Sequence, residues 1–79
     1  MKEEPSILDV RRLPARDRHS AIFERIDTLQ GHESLLLIND HDPKPLYYQL
    51  QAERPGLFAW VYVEQGPETW GVEITRQCC

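Results

Sequence analysis

The stretch that decides the fold runs Leu35-Leu36-Leu37-Ile38-Asn39-Asp40-His41-Asp42-Pro43-Lys44-Pro45-Leu46-Tyr47-Tyr48. An unbroken aliphatic run stops at four polar residues, and two prolines then open a segment of helical character. A continuous aliphatic run is typical of a strand that is covered on both faces or lies centrally in its sheet. Proline fits the first turn of a helix, where its missing N–H has no partner to lose. The stretch therefore predicts a buried strand, a polar loop and a helix start.

The segments on either side of this junction complete a pattern of six elements. Strands are predicted over 7–10, 33–39, 57–64 and 69–76, and helices over 16–30 and 43–53. In the first helix, Ile22, Ile26 and Leu29 recur at i, i+4 and i+7, which is typical of a helix with one buried side. Gly31 is predicted to end that helix in a left-handed cap. The turn residues at 65–68 predict an antiparallel hairpin of the last two strands.

The order β-α-β-α-β-β predicts an α/β (α+β) two-layer sandwich, in which a four-stranded mixed sheet carries two helices on one face. A right-handed crossover makes the first two strands parallel. The 79 residues form a single domain, 1–79, and residues 1–6 and 77–79 are predicted to be flexible ends. A chain of this size buries only about 60% of the surface that its unfolded form exposes. We therefore expect one thin core.

Composition and charge exclude several classes of protein. A hydrophobic content of 41% supports a globular fold rather than disorder. The net charge of −4 argues against a nucleic-acid binder or a binder of anionic membranes. We expect a cytoplasmic location, because the start of the chain lacks the apolar core of a signal peptide and no stretch reaches membrane-spanning length. We also expect a monomer or weak dimer. Cys78 and Cys79 are adjacent, so they predict no disulfide framework.

Polar side chains are predicted to gather at one edge of the sheet. The carboxyl ends of parallel strands share an edge, which is where open α/β sheets usually bind ligands. The candidate ligand-binding residues there are Arg11, Arg12, Arg18, His19, Asn39, Asp40, His41 and Asp42. Arginines beside a helix N-terminus suit an anion. The alternative is that they pair with nearby aspartates at the surface, each pair contributing about 0–1 kcal/mol.

Three of these side chains could form a metal site. His19, His41 and Asp42 make a set of two histidines and one carboxylate, which suits iron or zinc. The spacing lacks the short regular separations of established zinc sites. In the alternative, His19 packs against the core, His41 is solvated and Asp42 caps the second helix. No combination of nucleophile, base and orienting group is visible, which weighs against an enzyme.

The third predicted strand is apolar on both sides. Phe58, Trp60 and Tyr62 point one way, while residues at 57, 59, 61 and 63 point the other. If helices cover only one face of the sheet, one set is exposed, and an exposed apolar patch indicates a partner surface. Phe58, Trp60 and Tyr62 are the predicted partner surface. The alternative is that the N-terminal tail or the stems of long side chains cover the exposed set.

Several short motifs carry a resemblance to a known family. They are Leu8-Asp9-Val10-Arg11, Leu13-Pro14, Arg18-His19, Ile22-Phe23, Gly31-His32-Glu33, Asn39-Asp40-His41-Asp42-Pro43, Pro45-Leu46, Tyr48-Gln49, Pro55-Gly56, Trp60 and Gly66-Pro67-Glu68-Thr69-Trp70. With these motifs the chain resembles a bacterial family of uncharacterised domains, domain-of-unknown-function family 2249, placed near the TusA/SirA-like sulfur carriers. The resemblance implies a βαβαββ sandwich. Relatives look like stand-alone small domains or like neighbours of hemerythrin-like iron-binding domains. The resemblance therefore also implies a hemerythrin-like or other redox protein as a partner.

One departure from the sulfur carriers limits what the resemblance implies. Carriers of the TusA type have a Cys-Pro-x-Pro motif at the start of the first helix, where the cysteine holds a persulfide. This chain has Leu13-Pro14-Ala15-Arg16 there. The sequence therefore indicates a small binding or accessory module that recognises a small ligand, metal or protein at the polar edge, with no cofactor specified. A sulfur-carrier-like or redox accessory protein is the alternative, and Cys78 and Cys79 receive no role.

Overall fold

The computed structural model describes residues 6–77. The elements are β1 Ser6–Asp9, α1 Ala15–Ile26, β2 Ser34–Asn39, α2 Lys44–Glu53, β3 Phe58–Gln65 and β4 Trp70–Arg76. This order confirms the predicted βαβαββ pattern, and every strand bound agrees with the prediction to within one residue. The hydrophobic periodicity of the sequence was therefore sufficient to locate the strands.

The end of α1 differs from the prediction. The helix ends at Ile26 rather than near residue 30. The amides of Thr28 and Leu29 bond to carbonyls three residues back, which tightens the chain out of the helix. Leu29 is buried and holds this turn against the core. The left-handed residue is His32, with a φ of 69°, so the predicted left-handed cap at Gly31 is wrong.

The sheet has the strand order β1-β2-β4-β3. β1 pairs with β2 in parallel, and β4 pairs antiparallel with both β2 and β3. Leu37 lies opposite Leu8 on one side and Val72 on the other, so the aliphatic run of β2 is central in the sheet. The parallel start and the antiparallel hairpin at the end are both confirmed.

One apolar core lies between the two helices and the inner face of the sheet. Its buried members are Val10, Ile22, Phe23, Ile26, Leu29, Leu35, Leu37, Leu46, Leu50, Phe58, Val72 and Ile74. Leu35 and Leu37 alternate with Leu36 and Ile38, because successive side chains of a strand point to opposite faces. Both helices contribute to this single cluster, which is the predicted two-layer sandwich with the helices on one face.

The opposite face of the sheet is called the open face. It carries the apolar residues Ile7, Leu36, Ile38, Ala59, Val61 and Val63, the hydroxyl residues Ser34 and Thr75, and the carboxylates Asp9, Glu64 and Glu73. Ile7, Val61 and Val63 are 65%, 52% and 56% exposed. A bulge between Tyr62 and Glu64 in β3 lets the neighbouring Val63 side chain lie over Gly71. The face without helices therefore carries three exposed apolar side chains of the described chain, while Tyr48, which is 62% exposed, lies on α2.

The aromatic set of β3 lies on the helix-covered side. Phe58 is only 5% exposed and belongs to the core, while Trp60 and Tyr62 are half-buried against it. Trp60 lies opposite Ile74 and Tyr62 opposite Val72, both of which face the helices. The prediction of Phe58, Trp60 and Tyr62 as the partner surface is therefore corrected, because these side chains face the helices. The helices cover only one face of the sheet, so the exposed side chains of β3 are Val61 and Val63.

The ends of the described segment are tied to the fold. Ser6 already belongs to β1, and the amide of Gln77 donates to the Leu57 carbonyl at 2.8 Å. Residues 1–5 and Cys78 and Cys79 lie outside the described residues. Between residues 6 and 77, neither helix has the length and apolar character needed to cross a membrane.

Gly66 in the β3–β4 turn is expected to be sensitive to substitution. Its φ is +60°, and a Cβ there would lie 2.9 Å from the Trp70 ring. We expect Gly66→Ala to lower the free energy of unfolding by about 2–3 kcal/mol, from backbone strain and overpacking together. Gly56→Ala is the control, because its φ is +74° but no atom lies within 4 Å of the added Cβ. Urea unfolding of both variants measures the difference, and equal losses would contradict the predicted Trp70 contact.

Candidate functional site

The loops that follow β1 and β2 lie side by side at the end of the sheet. The amide of Val10 donates to the Ile38 carbonyl at 3.0 Å, which continues the parallel pairing one residue beyond the end of β1. We call residues 10–14 and 39–43 the loop edge. The predicted meeting of the two polar loops is thus found in the structure.

Arg18, in the first turns of α1, joins the two loops. Its Nε donates to the Leu13 carbonyl at 2.9 Å, and one Nη donates to the Arg11 carbonyl at 3.1 Å. The guanidinium also donates to Asn39 Oδ1 at 2.9 Å and to both Asp40 carboxylate oxygens, at 2.9 and 3.3 Å. A guanidinium has five N–H donors, and each is used here. With its side chain 14% exposed, Arg18 is an internal connector rather than a ligand-binding group.

Asn39 fixes the end of β2 from inside. It is the buried polar residue of the domain's described part, and its Oδ1 accepts from both Arg18 and the backbone amide of Asp40. A buried amide oxygen without donors would destabilise the fold, so these two bonds let a polar residue occupy an inward-facing position. The loop consequently leaves the strand in one fixed direction.

Asp40 and His41 form a pair on this fixed loop. His41 Nδ1 lies 2.8 Å from Asp40 Oδ1. Hydrogen bonds from Arg18, and then from His41, lower the pKa of Asp40 to about 2. An ionised carboxylate can only accept hydrogen bonds, so Nδ1 carries the proton and His41 keeps Nε2 for other partners. The His41 side chain is 63% exposed, which makes it accessible from solvent.

The ion pair of Asp40 predicts a loss of stability in acid. The pKa of Asp40 is lower in the folded chain, about 2, than its ordinary 3.8. A lowered pKa stabilises the fold fully above pH 3.8, and this contribution is lost as the pH falls towards 2. We expect the free energy of unfolding of Asp40→Asn to fall less than that of the wild type between pH 4 and pH 2. Urea titrations at both pH values provide the measurement.

Other carboxylates also titrate in this range, so a control is needed. Bonds from Arg11 lower the pKa of Asp9 to about 2 as well. The doubly substituted Asp9→Asn, Asp40→Asn chain should therefore show a shallower decline than either single variant. An unchanged slope in Asp40→Asn would show that the bond to Arg18 contributes nothing to folding.

Arg11 and Arg12 lie on the β1 side of the loop edge. Arg11 is held by Asp9 through Nε at 2.9 Å and Nη2 at 2.6 Å. Asp9, Arg11 and Arg12 line an open depression on the surface. The pairing of arginines with aspartates, which was the alternative to an anion site, is therefore found for Arg11 with Asp9 and for Arg18 with Asp40. Arg12, on the same loop edge, belongs to neither pair.

The structure does not assemble the predicted metal site. Among residues 6–77, no group of three or more histidine, cysteine, aspartate or glutamate side chains is placed to hold a metal ion. His19 is exposed and stacks on the Phe23 ring, with 4.8 Å between centroids. His41 bonds to Asp40, and Asp42 bonds to Tyr62. The prediction of His19, His41 and Asp42 as metal ligands is therefore wrong for the described chain, because each side chain is directed to a different partner.

Asp42 has a different role from the predicted helix cap. α2 begins at Lys44 after Pro43, and no side chain caps it. Pro45 in the first turn lacks one of the amides that a capping carboxylate usually binds. Asp42 instead accepts a 2.7 Å hydrogen bond from the Tyr62 hydroxyl. Burial, followed by this bond, raises the pKa of Tyr62 above its ordinary value.

Sequence reasoning missed the partner of Asp42 and the aromatic row to which it belongs. Tyr47, Trp60, Tyr62 and Trp70 follow one another with ring centroids 5.2, 6.2 and 6.1 Å apart. In the described chain, Trp60 Nε1 is buried without a hydrogen-bond partner. The alternation of aromatic residues in β3 was the available signal, but it did not reveal which face carried them.

Fold and site together define a small open-faced α+β sandwich whose loop edge is connected by an internal arginine. The chain belongs to the family described as uncharacterized conserved protein (DUF2249), whose profile matches residues 7–76. The match runs from β1 to the last residue of β4 and includes the whole loop edge. Comparison with curated proteins and with solved structures gave no match. The resemblance to this family is confirmed.

Proposed function

We propose that the domain is a cytoplasmic binding module that recognises an anionic group of its partner at the loop edge. The observation that carries this proposal is the set of five hydrogen bonds from Arg18. They hold both loops in one arrangement, so little conformational freedom is lost when a partner binds. The residues that form this rigid support are distinct from the residues that remain for recognition.

Arg12 and His41 are the proposed recognition residues, one from each loop. A guanidinium binds carboxylate or phosphate oxygens with two parallel hydrogen bonds. His41 is held through Nδ1 by Asp40, and its Nε2 donates to an anion when the ring is protonated. α1 starts nearby at Ala15, after Pro14, without a side-chain cap. Its first amides therefore favour negative charge at the same edge.

The identity of the partner is also proposed. A hemerythrin-like or other redox protein, which the resemblance implies, is the first protein to test. Arg12 can donate the same hydrogen bonds to the carboxylate oxygens of an acidic protein surface and to the oxygens of free phosphate. A relationship to the TusA/SirA-like carriers is also proposed, and it is supported by the order of the elements alone. The proposal does not include sulfur transfer, because α1 starts without a cysteine.

Titration of the ¹⁵N-labelled protein tests the proposed function. Inorganic phosphate and a glutamate-rich peptide are added separately while amide shifts are followed at pH 6. We expect shifts in residues 11–18 and 39–42, with at least a tenfold loss of affinity in Arg12→Ala and His41→Ala. A tenfold change corresponds to about 1.4 kcal/mol, close to the lower end of the contribution of a hydrogen bond to a charged group, about 1.5–3 kcal/mol.

The matched control is Arg25→Ala, which removes the same charge from the last turn of α1. It should bind both probes as the wild type does. If neither probe shifts the loop edge, or if Arg25→Ala weakens binding as much as Arg12→Ala, the proposed function is wrong. Binding of the peptide but not of phosphate assigns the edge to a protein partner.

A further inference from the structure

We propose that the open face of the sheet is a docking surface for a partner segment that combines apolar side chains with lysine or arginine. This face uses none of the recognition residues of the loop edge. It is a second surface, formed by the strands rather than by the loops, and it requires a partner of its own chemistry.

The open face exposes apolar side chains from two strands. Ile7 on β1 and Val61 and Val63 on β3 are each more than half exposed, and Leu36 and Ile38 of β2 lie on the same face. Single exposed apolar residues are ordinary, but several on one face of a sheet indicate an interaction site. The helices cover only the other face, so no element of the described chain packs on the open face.

Glu73 places a negative charge among these apolar residues. It lies on β4 between Leu36 of β2 and Val61 of β3, in the interior of the open face. In the range 6–77 it takes part in no ion pair and no side-chain hydrogen bond, although it is half-buried. A neutral partner would remove water from this carboxylate without replacing its hydrogen bonds, which is unfavourable. A lysine or arginine would complement it.

The remaining charges on the open face have the same sign. Glu64 follows the bulge and lies opposite Gly71 on this face. Asp9 also lies on this side, but Arg11 neutralises it. A second copy of the chain would bring a second Glu64 and a second Glu73 to this face, while its Arg11 is already paired with Asp9. The charge pattern therefore favours a basic, apolar partner segment over self-association.

A pair of designed peptides tests the inference. Both are amphipathic helices with leucine on one side, and they carry either lysine or glutamate on the flanks. We expect the leucine–lysine peptide to bind the wild type at least ten times more tightly than the leucine–glutamate peptide. The amide shifts should fall in β1, β2, β3 and β4 at the open-face positions. Glu73→Lys should reverse the preference between the two peptides.

Glu24→Lys is the matched control, because Glu24 is an exposed residue of α1 on the other side of the sheet. It should keep the wild-type preference. The inference is overturned if the leucine–lysine peptide does not bind, if its shifts fall on the helices, or if Glu73→Lys behaves like Glu24→Lys. Sedimentation that shows a dimer formed through the open face would also overturn it. Phosphate binding at the loop edge is measured separately, so either proposal can fail alone.

Discussion

Replacing Leu37 with alanine is expected to lower the free energy of unfolding by about 2–5 kcal/mol, the usual range for a buried leucine. Leu37 is fully buried in β2, a central strand, where it lies opposite Leu8 and Val72. A domain of this size has a total stability of roughly 4–12 kcal/mol, so this loss is a large fraction of the whole. Urea unfolding followed by circular dichroism measures it.

Leu36→Ala is the matched control for Leu37→Ala. It removes the same atoms from the neighbouring residue, whose side chain lies on the open face and is half-buried. We expect the control to lose less than half as much stability. Equal losses in the two variants would show that the second face of the sheet is covered as tightly as the first. If Leu37→Ala is too unstable to measure, Leu37→Val is expected to lose about 1 kcal/mol and serves in its place.

Replacing Arg18 with alanine is expected to lower the free energy of unfolding by about 2–3 kcal/mol. The guanidinium is largely buried and bonds to the Leu13 and Arg11 carbonyls, Asn39 and Asp40. A hydrogen bond with a charged partner contributes about 1.5–3 kcal/mol, and losing the donor leaves Asn39 with one fewer partner in a buried position. The half-exposed side chain of Asp40 limits the effect, because water can replace its contact.

Arg16→Ala and Arg18→Lys are the variants to compare with Arg18→Ala. Arg16 is exposed on the same helix, and its replacement should stay within about 0.5 kcal/mol of the wild type. Lysine keeps the charge but not the planar set of donors, so Arg18→Lys should recover little of the loss. Full recovery by lysine would mean that charge alone, rather than the connection between the loops, stabilises this edge. The amide signals of residues 11–13 and 39–41 should broaden together in Arg18→Ala.

The strands could be predicted because their signal is local. Four consecutive aliphatic residues identified β2 as central, and the turn residues at 65–68 identified the hairpin, in agreement with the sheet. The parallel pairing of β1 and β2 then followed from chain handedness. That pairing alone was enough to predict that the loop after Val10 meets the loop after Asn39. The fold and the approximate location of the site could therefore be predicted from patterns among residues that are close together in the sequence.

The individual roles of side chains could not be predicted, because they depend on contacts across long separations in sequence. Arg18 looked like an anion-binding residue, but Asn39 and Asp40, more than twenty positions away, use its donors. Asp42 looked like a helix cap, but Tyr62 on β3 binds it. Residues 57–63 are apolar on both sides, so only the packing of the helices decided which set is exposed.

The strand order has a consequence for how the chain acquires its fold. β4 is the last strand in the sequence, yet it lies between β2 and β3. Until it is present, β3 has no neighbour, and β2 has only the four-residue β1 beside it. During synthesis, the complete sheet can therefore form only after residues 70–76 have been added to the first five elements. Such dependence on distant pairing slows folding and leaves strand edges unpaired in the meantime. On the ribosome, this domain should fold in a single late step.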